Sequence, residues 1–537
     1  MPQRITRRAV LGGGLGALLG WRWLLDTTFE AMAGAPRCPS FRDIEHVVFL
    51  IQENRSFDHY FGRYPGVRGF DDRSVRLFPG DAGTAVFRQA NPGHTPNPVL
   101  PFHVSTDPAL RPTGECIHDI GHQWVEQHEC WDGGGLGGYV RTHVAVEGPV
   151  FGPLTMAHYD RRDIPFYYAL ADAFTICDHY HTSVISGTVA NRIMGFSGTV
   201  DPDGQAGGPV VNTPEAKNEQ DYAKLYAALS WRTMPEVLQD AGISWKFYNP
   251  PDTAVPLLVD NYLGFFKQFL TNPALAVRAF GSQLSPNDFG LDCAANRLPA
   301  VSWINVQFLW TEHPPTPLGW GEFAVSRVLN ALTSNRELWA KTALFITWDD
   351  SGGFFDHVPP PVPPAGTSGE FLTAKPPVGG DGGILGPIGL GARVPMLVVS
   401  PWSRNTGSRT DPGWQPLVAS DTLDHTSMMR FLERWFAAKG VPGITLPHDT
   451  AWRAATVGDL TGAFSFTSPH LTVPTLPATS LAKPLTSPEC DVAALTELPG
   501  VDPPGTYHPQ DSTRTLPSQE PAAGVRRPTG VSACGSR

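Results

Sequence analysis

Ile44-Glu45-His46-Val47-Val48-Phe49-Leu50-Ile51-Gln52-Glu53-Asn54-Arg55-Ser56-Phe57-Asp58-His59-Tyr60-Phe61-Gly62 is the stretch whose reading decides the fold. Val47 to Ile51 is short, apolar and rich in β-branched residues, the pattern of a buried strand. It stops at Glu53-Asn54-Arg55, a carboxylate, an amide and a guanidinium in succession. In open α/β sheets the chemistry gathers at the carboxyl ends of the strands, so this cluster is a site candidate. The plainer alternative is a polar turn capping the helix that starts near Phe57.

The same design recurs downstream. Ala343 to Trp348 is a second apolar strand, and it ends in Asp349-Asp350-Ser351-Gly352-Gly353. Further strands are expected at Ser244 to Tyr248, Ala300 to Ile304 and Val394 to Ser400. Helices are expected over 118–131, 165–174, from Thr188, 235–241, 323–332 and 425–436. Alternating strands and helices of this kind point to an α/β sheet. Residues 64–115 read as a long surface excursion and 132–138 as a glycine-rich loop.

The 537-residue chain is 41% hydrophobic and only 17% charged, with 55 Gly and 53 Pro. That suits one large, loop-rich α/β domain with insertions. The formal net charge of -11, with no basic block in the body, argues against nucleic-acid binding. Residues 1–33 read as a twin-arginine export signal: Thr6-Arg7-Arg8-Ala9-Val10-Leu11, an apolar stretch from Leu11 to Leu25, and the small-residue site Ala31-Met32-Ala33. The body is expected over 40–465, and the Pro/Ser/Thr-rich 469–537 as an extended or disordered tail. Seven Cys (38, 116, 130, 177, 293, 490 and 534) suit an exported protein. Cys116 and Cys130 could pair, but the connectivity is open. No Cys-x-x-Cys occurs, which speaks against a thiolate zinc site.

Glu53, Asn54, Asp349 and Asp350 sit at two strand ends. Brought together, they would need a hard divalent cation among them; the alternative is that each caps a helix or pairs with an Arg. Thr188 follows Gly187 at an incipient helix start, where an anion is welcome, although a Thr there is also an ordinary cap. His122, His128, His313, His357 and His425 could each donate a proton or face an anion. Trp124, Trp131, Tyr139 and Tyr180 lie near these motifs and could form a cage for a quaternary ammonium, or simply belong to the core.

Three passages carry a resemblance: ENRSFDHYFG from Glu53, DHYHTSVISGTVANR ending at Arg192, and WDDSGGFFDHVPPP from Trp348. The chain resembles the phosphoesterase family of bacterial phospholipases C of the non-toxin type, which also has an acid phosphatase branch. HQWVEQHECWDGG, IPFYYALADAFTICD, SWKFY, EHP, GLGARVPMLVVSPWS and LDHTS extend the likeness over about residues 40–465, in a layout like the mycobacterial type. The resemblance implies an alkaline-phosphatase-like fold, a mostly parallel sheet flanked by helices. It implies one divalent metal ion on Glu53, Asn54, Asp349 and Asp350, with Thr188 as nucleophile and His122, His313 and His357 around the phosphoryl group. The implied substrate is a phospholipid of the phosphatidylcholine type, met in transient contact with a membrane surface; an acid phosphatase-type phosphomonoesterase is the alternative. Asp350 stands where many relatives carry Glu, Val189-Ala190 replaces a Pro-containing version, and Ser183 marks a segment without the Cys common after His181.

Overall fold

The computed structural model describes residues 40–107, 109, 114–214, 219–250, 261–283, 288–485, 490 and 515–530. The export signal expected over 1–33 lies outside them. The main sheet has eight strands, numbered in chain order: β1 (His46–Gln52), β2 (Thr175–Cys177), β3 (Trp245–Asn249), β4 (Ser282–Gln283), β5 (Val301–Ile304), β6 (Thr342–Trp348), β7 (Met396–Val399) and β8 (Leu417–Ala419). Their spatial order is β8-β2-β7-β6-β1-β5-β3-β4. Every neighbouring pair is parallel except the two that involve β7. The mostly parallel sheet flanked by helices is therefore as expected.

β1 and β6 lie side by side at the centre, in register from His46 opposite Thr342 to Gln52 opposite Trp348. Both strands are apolar on both faces, as strands covered by helices on each side must be; β6 is buried throughout and β1 from Val47 on. Phe49 stacks on Phe345 at 5.4 Å and touches Trp303 at 5.8 Å, so the aromatic rungs of β6, β1 and β5 knit the core. The register matters most at its end, because it delivers Glu53-Asn54 and Asp349-Asp350 to the same edge.

Five helices position or flank that edge: α1 (Phe57–Phe61), α2 (Trp124–Trp131), α3 (Tyr139–Phe151), α4 (Thr188–Ser197) and α5 (Thr426–Ala438). α2 is shorter than the 118–131 expected. Its N-cap is Gln123, and the preceding residues are pulled out of helix by other bonds: Gly121 N donates to Glu147 Oε1 at 2.7 Å, and His122 is turned toward Asn54. His118, His122 and Glu126 therefore do not share a helix face. α3, β2 and β8 escape the periodicity reading because each is short or follows a run of glycines.

Part of the tail, expected to be extended or disordered, is seated on the body. Arg526 bridges Leu417 on the outer edge of β8, and Glu520 pairs with Arg161 at 2.8 Å. Cys490 is joined to Cys116 across 374 residues. The Cys116–Cys130 pairing that spacing allowed is thus replaced; Cys130 is a buried free thiol. No helix among the described residues is long and apolar enough to cross a membrane.

Candidate active site

The two central strand ends are zipped together beyond the sheet. Asp349 N donates to Gln52 O at 3.1 Å and Arg55 N to Asp350 O at 3.0 Å. Asn54 takes the left-handed conformation (φ 63°), which Asn tolerates better than most residues. That twist lets its N–H donate to Asp349 Oδ1 at 3.2 Å. On the other strand, Asp350 N donates to the same oxygen at 2.7 Å, and Gly352 N to Asp350 Oδ1 at 2.6 Å. Gly352 (φ 60°) is needed there, since a Cβ would stand 2.4 Å from Asn54 O.

Thr188 opens α4 and points into this cluster. Its Oγ1 lies 3.1 Å from Asp350 Oδ2 and 3.4 Å from Asn54 Oδ1. α4 is anchored at this end by Val189 N donating to Thr213 Oγ1 at 3.1 Å. One turn on, Arg192 reaches back: Nε donates to Asp349 Oδ2 at 2.8 Å and an Nη to Glu53 Oε1 at 3.2 Å. Glu53 Oε2 lies 3.2 Å from Thr311 Oγ1. Glu53, Asn54, Asp349, Asp350 and Thr188 are all buried in one contiguous network. Burial lifts the Asp350 carboxyl to about 7, with His122 pulling it down and Asp349 pushing it further up.

His122 adjoins this set. Its Nδ1 is bonded to Ile120 O at 2.7 Å and its Nε2 lies 3.1 Å from the Asn54 side-chain amide. Burial works against charge on the ring, but Asp350 and then Asp119 outweigh it and hold its pKa up at about 9. The His313 ring lies 6.0 Å from that of His122, centre to centre. His425 stands behind the cluster, its Nε2 bonded to Asp349 O at 2.7 Å and its Nδ1 to the Tyr180 hydroxyl at 3.0 Å.

His357 is held in a separate network. Its Nδ1 meets Asp58 Oδ2 at 2.6 Å and its Nε2 meets Asp72 Oδ2 at 3.4 Å, while Arg393 binds Asp58 and Asp356 beside it. Both ring nitrogens are taken by carboxylates, so the structure brings His122 and His313 toward the Thr188 cluster and ties His357 to α1. His128, too, is occupied, with Trp124 O and Pro387 O on its two nitrogens. The aromatic cage does not assemble from the four rings considered: Trp124, Tyr139 and Tyr180 are buried in the core, and the Trp124 indole N–H is spent on Ile384 O.

Among the described residues, Asp119–His122–His313, Asp58–Asp356–His357 and His103–Asp160–Asp163 are close enough to hold a metal ion. The second is already balanced by Arg393. At Thr188 the donor set itself makes the case for a cation. One hydroxyl faces two acceptor oxygens, Asn54 Oδ1 and Asp350 Oδ2, and has a single hydrogen to give. Three buried oxygens converging in this way suit a hard divalent ion. The expected ligands Glu53 and Asp349 are otherwise engaged: Arg192 pairs with one oxygen of each, Asp349 Oδ1 accepts two backbone N–H groups and Glu53 Oε2 faces the Thr311 hydroxyl, and neither acid belongs to the three clusters above.

A family model described as the Phosphoesterase family matches residues 44–439 of the chain. The chain belongs to that family. This phosphoesterase is 43% identical to phospholipase C B of Mycobacterium tuberculosis over 83% of its length and 82% of the relative's. It is 39% identical to phospholipase C A of the same organism, over 91% and 90%. A non-hemolytic phospholipase C of Burkholderia pseudomallei is 39% identical, over 83% of this chain and 62% of that one. Enzymes so named are phosphoric diester hydrolases. Three members of the phosphoesterase's network were not singled out by their residue patterns: Arg192, Thr311 and Asp119. Each lies within four residues of a motif residue that was; Asp119 has its partner His122 three residues on, whereas the partners of Arg192 and Thr311 are more than a hundred residues away.

Proposed function

We propose that this phosphoesterase is an exported phospholipase C that cleaves phosphatidylcholine-type phospholipids to diacylglycerol and a phosphorylated head group, with Thr188 as nucleophile. The observation that carries this is the Thr188 hydroxyl, buried at the start of α4 with Asp350 Oδ2 at 3.1 Å, in a chain whose relatives are named phospholipases C over most of their length. Asp350 already accepts the hydroxyl's hydrogen bond and takes its proton as Thr188 Oγ1 bonds to phosphorus. The phosphorus–oxygen bond to diacylglycerol breaks, and His122 or His313 gives a proton to the departing oxygen. The same histidine then draws a proton from water, whose oxygen bonds to phosphorus as the phosphorus–oxygen bond to Thr188 breaks; Asp350 returns its proton to the Thr188 oxygen and the phosphorylated head group is released. A divalent ion held by Asn54, Asp350 and the Thr188 oxygen, with Glu53 and Asp349 beside them, would acidify the hydroxyl and screen the phosphoryl charge. Export by the twin-arginine route is supported by the Arg7-Arg8 pattern and would place the enzyme where it meets a membrane surface.

The test compares turnover of p-nitrophenyl phosphorylcholine and p-nitrophenyl phosphate. The diester should be hydrolysed faster, by at least tenfold in kcat/KM. Thr188→Val should unfold at the wild-type temperature while losing turnover by 10³-fold or more, on the order seen for loss of an attacking group, and acid-quenched wild type should carry label from substrate on Thr188. Preference for the monoester would sink the phospholipase reading; near-normal rates in Thr188→Val would sink the nucleophile.

A further inference from the structure

Glu312 is placed as few glutamates are. It is fully buried and in the left-handed conformation (φ 75°), where a non-glycine residue is uncommon. A side chain in that position persists only if its surroundings over-determine it, and here they do. Oε2 accepts from the Tyr60 hydroxyl at 2.7 Å and the Trp348 indole N–H at 3.0 Å. Oε1 accepts from the Tyr167 hydroxyl and from Gln52 Nε2, the latter at 3.3 Å. Its carbonyl oxygen accepts two N–H groups of Arg55, at 3.1 and 2.5 Å.

These partners are not a random sample of the core. Gln52 ends β1 and Trp348 ends β6, so the carboxylate clamps the two strands that present Glu53-Asn54 and Asp349-Asp350. The residues on either side of Glu312 belong to the site. The Thr311 hydroxyl lies 2.7 Å from Phe308 O and 3.2 Å from Glu53 Oε2, and Glu53 N donates to Thr311 O at 2.8 Å. His313 is tied to the same Thr by its N–H at 3.3 Å and faces His122. Gly321 completes the seat. A Cβ there would stand 2.0 Å from Glu312 Oε1 and 2.1 Å from its Cγ, so the helix Leu318–Ser334 carries a glycine in its first turns, against helix propensity, where the carboxylate needs room.

We infer that Glu312 is a positioning residue: its clamped carboxylate sets the Thr311–His313 turn, so that His313 faces the phosphoryl position beside His122. The inference rests on the reading of Thr188 as nucleophile and His313 as a group acting on the phosphoryl oxygens.

Two variants test it on the full chain. Glu312→Gln replaces an all-acceptor carboxylate by an amide that cannot accept from both Tyr60 and Tyr167 while facing Trp348 and Gln52. Gly321→Ala leaves every charge and every site residue in place and intrudes only on the seat. Each should lower kcat at least tenfold with KM within about threefold, measured on whichever p-nitrophenyl ester the wild type turns over. In a His313→Ala background each should lower kcat less than twofold, because the residue it positions is gone. A merely structural role predicts the same factor in both backgrounds, and that result overturns the inference. So does a folded Gly321→Ala with wild-type kcat, or a His313→Ala with wild-type kcat. If Glu312→Gln does not fold, Gly321→Ala alone decides. Failure of the substrate reading shows instead as a wild type that prefers the monoester, with the double-mutant comparison still scored.

Discussion

Arg192 carries one positive charge into a place crowded with oxygen. It is 2% exposed and pairs with Asp349 at 2.8 Å and Glu53 at 3.2 Å. Removing one member of a buried pair leaves the other charged, desolvated and alone, which costs about 3–5 kcal/mol. Arg192→Met, similar in length but neutral, should therefore lose about that much stability in urea unfolding with a chelator present. A loss under about 1 kcal/mol, the scale of an exposed pair, would mean that the guanidinium does not carry this network's stability. The same arithmetic explains how far single residues could be read. Glu53, Asn54, Asp349 and Asp350 were legible because each follows an apolar run whose end is visible. Arg192 stands in an apolar-sided helix, and nothing in its neighbours announces that its partners lie 139 and 157 residues away. His357 illustrates the converse. It stands in a motif as conspicuous as any, yet Asp58 and Asp72 close over both its nitrogens, and a partner on α1 cannot be inferred from the spacing around residue 357.

At the scale of elements, the strands of four or more residues were read and those of two or three were not. β1 and β6 fall within two residues of their expected bounds, since an unbroken run of buried residues leaves few alternatives. β2 and β8 have three residues each and draw their stability from neighbours rather than pattern. The element most exposed to test is the helix Leu318–Ser334. Its Glu322 caps the start of the helix Pro165–Ala173, accepting from Phe166 N at 2.8 Å and Tyr167 N at 3.3 Å. Burial pushes this carboxyl up to about 8, more than Lys483 and the two N–H groups pull it down. The native pKa is thus above the unfolded one. The native state keeps a proton that the unfolded chain sheds in the ordinary carboxylate range, so Glu322's contribution is full below that range. It is lost as pH rises toward 8, at up to about 1.4 kcal/mol per pH unit. Glu322→Gln still accepts the two N–H bonds and cannot titrate. Its stability relative to wild type should rise between about pH 5 and pH 8 in urea titrations; an equal difference at both ends would show that Glu322 is ionised throughout.

For the molecule as a whole, the described parts of the tail are held against the body. A Pro-rich, aperiodic composition predicts disorder because it offers little apolar area to bury. Here the segment is held by other means. Arg526 adds a rung outside β8, with Val418 N donating to Arg526 O and Arg526 N to Pro416 O, each at 2.9 Å. Glu520 receives Arg161, Lys483 reaches Glu115 at 3.1 Å, and Leu481 O accepts the Trp320 indole N–H at 3.0 Å. None of these depends on hydrophobic periodicity, which is why composition missed them. Two separable losses result from removing the tail. Cutting the Cys116–Cys490 link, as in Cys490→Ser, frees a loop of 374 residues in the unfolded chain and should cost about 2–5 kcal/mol, leaving β8 covered and the protein monodisperse. Ending the chain after Phe466 should cost at least as much and also strip β8 of its outer rung, baring a row of unpaired N–H and C=O groups. Light scattering on heating should then show that the truncated protein aggregates well below the temperature at which Cys490→Ser unfolds. If both variants melt alike and neither scatters, the Arg526 rung protects nothing, and the disulfide accounts for the tail's whole contribution.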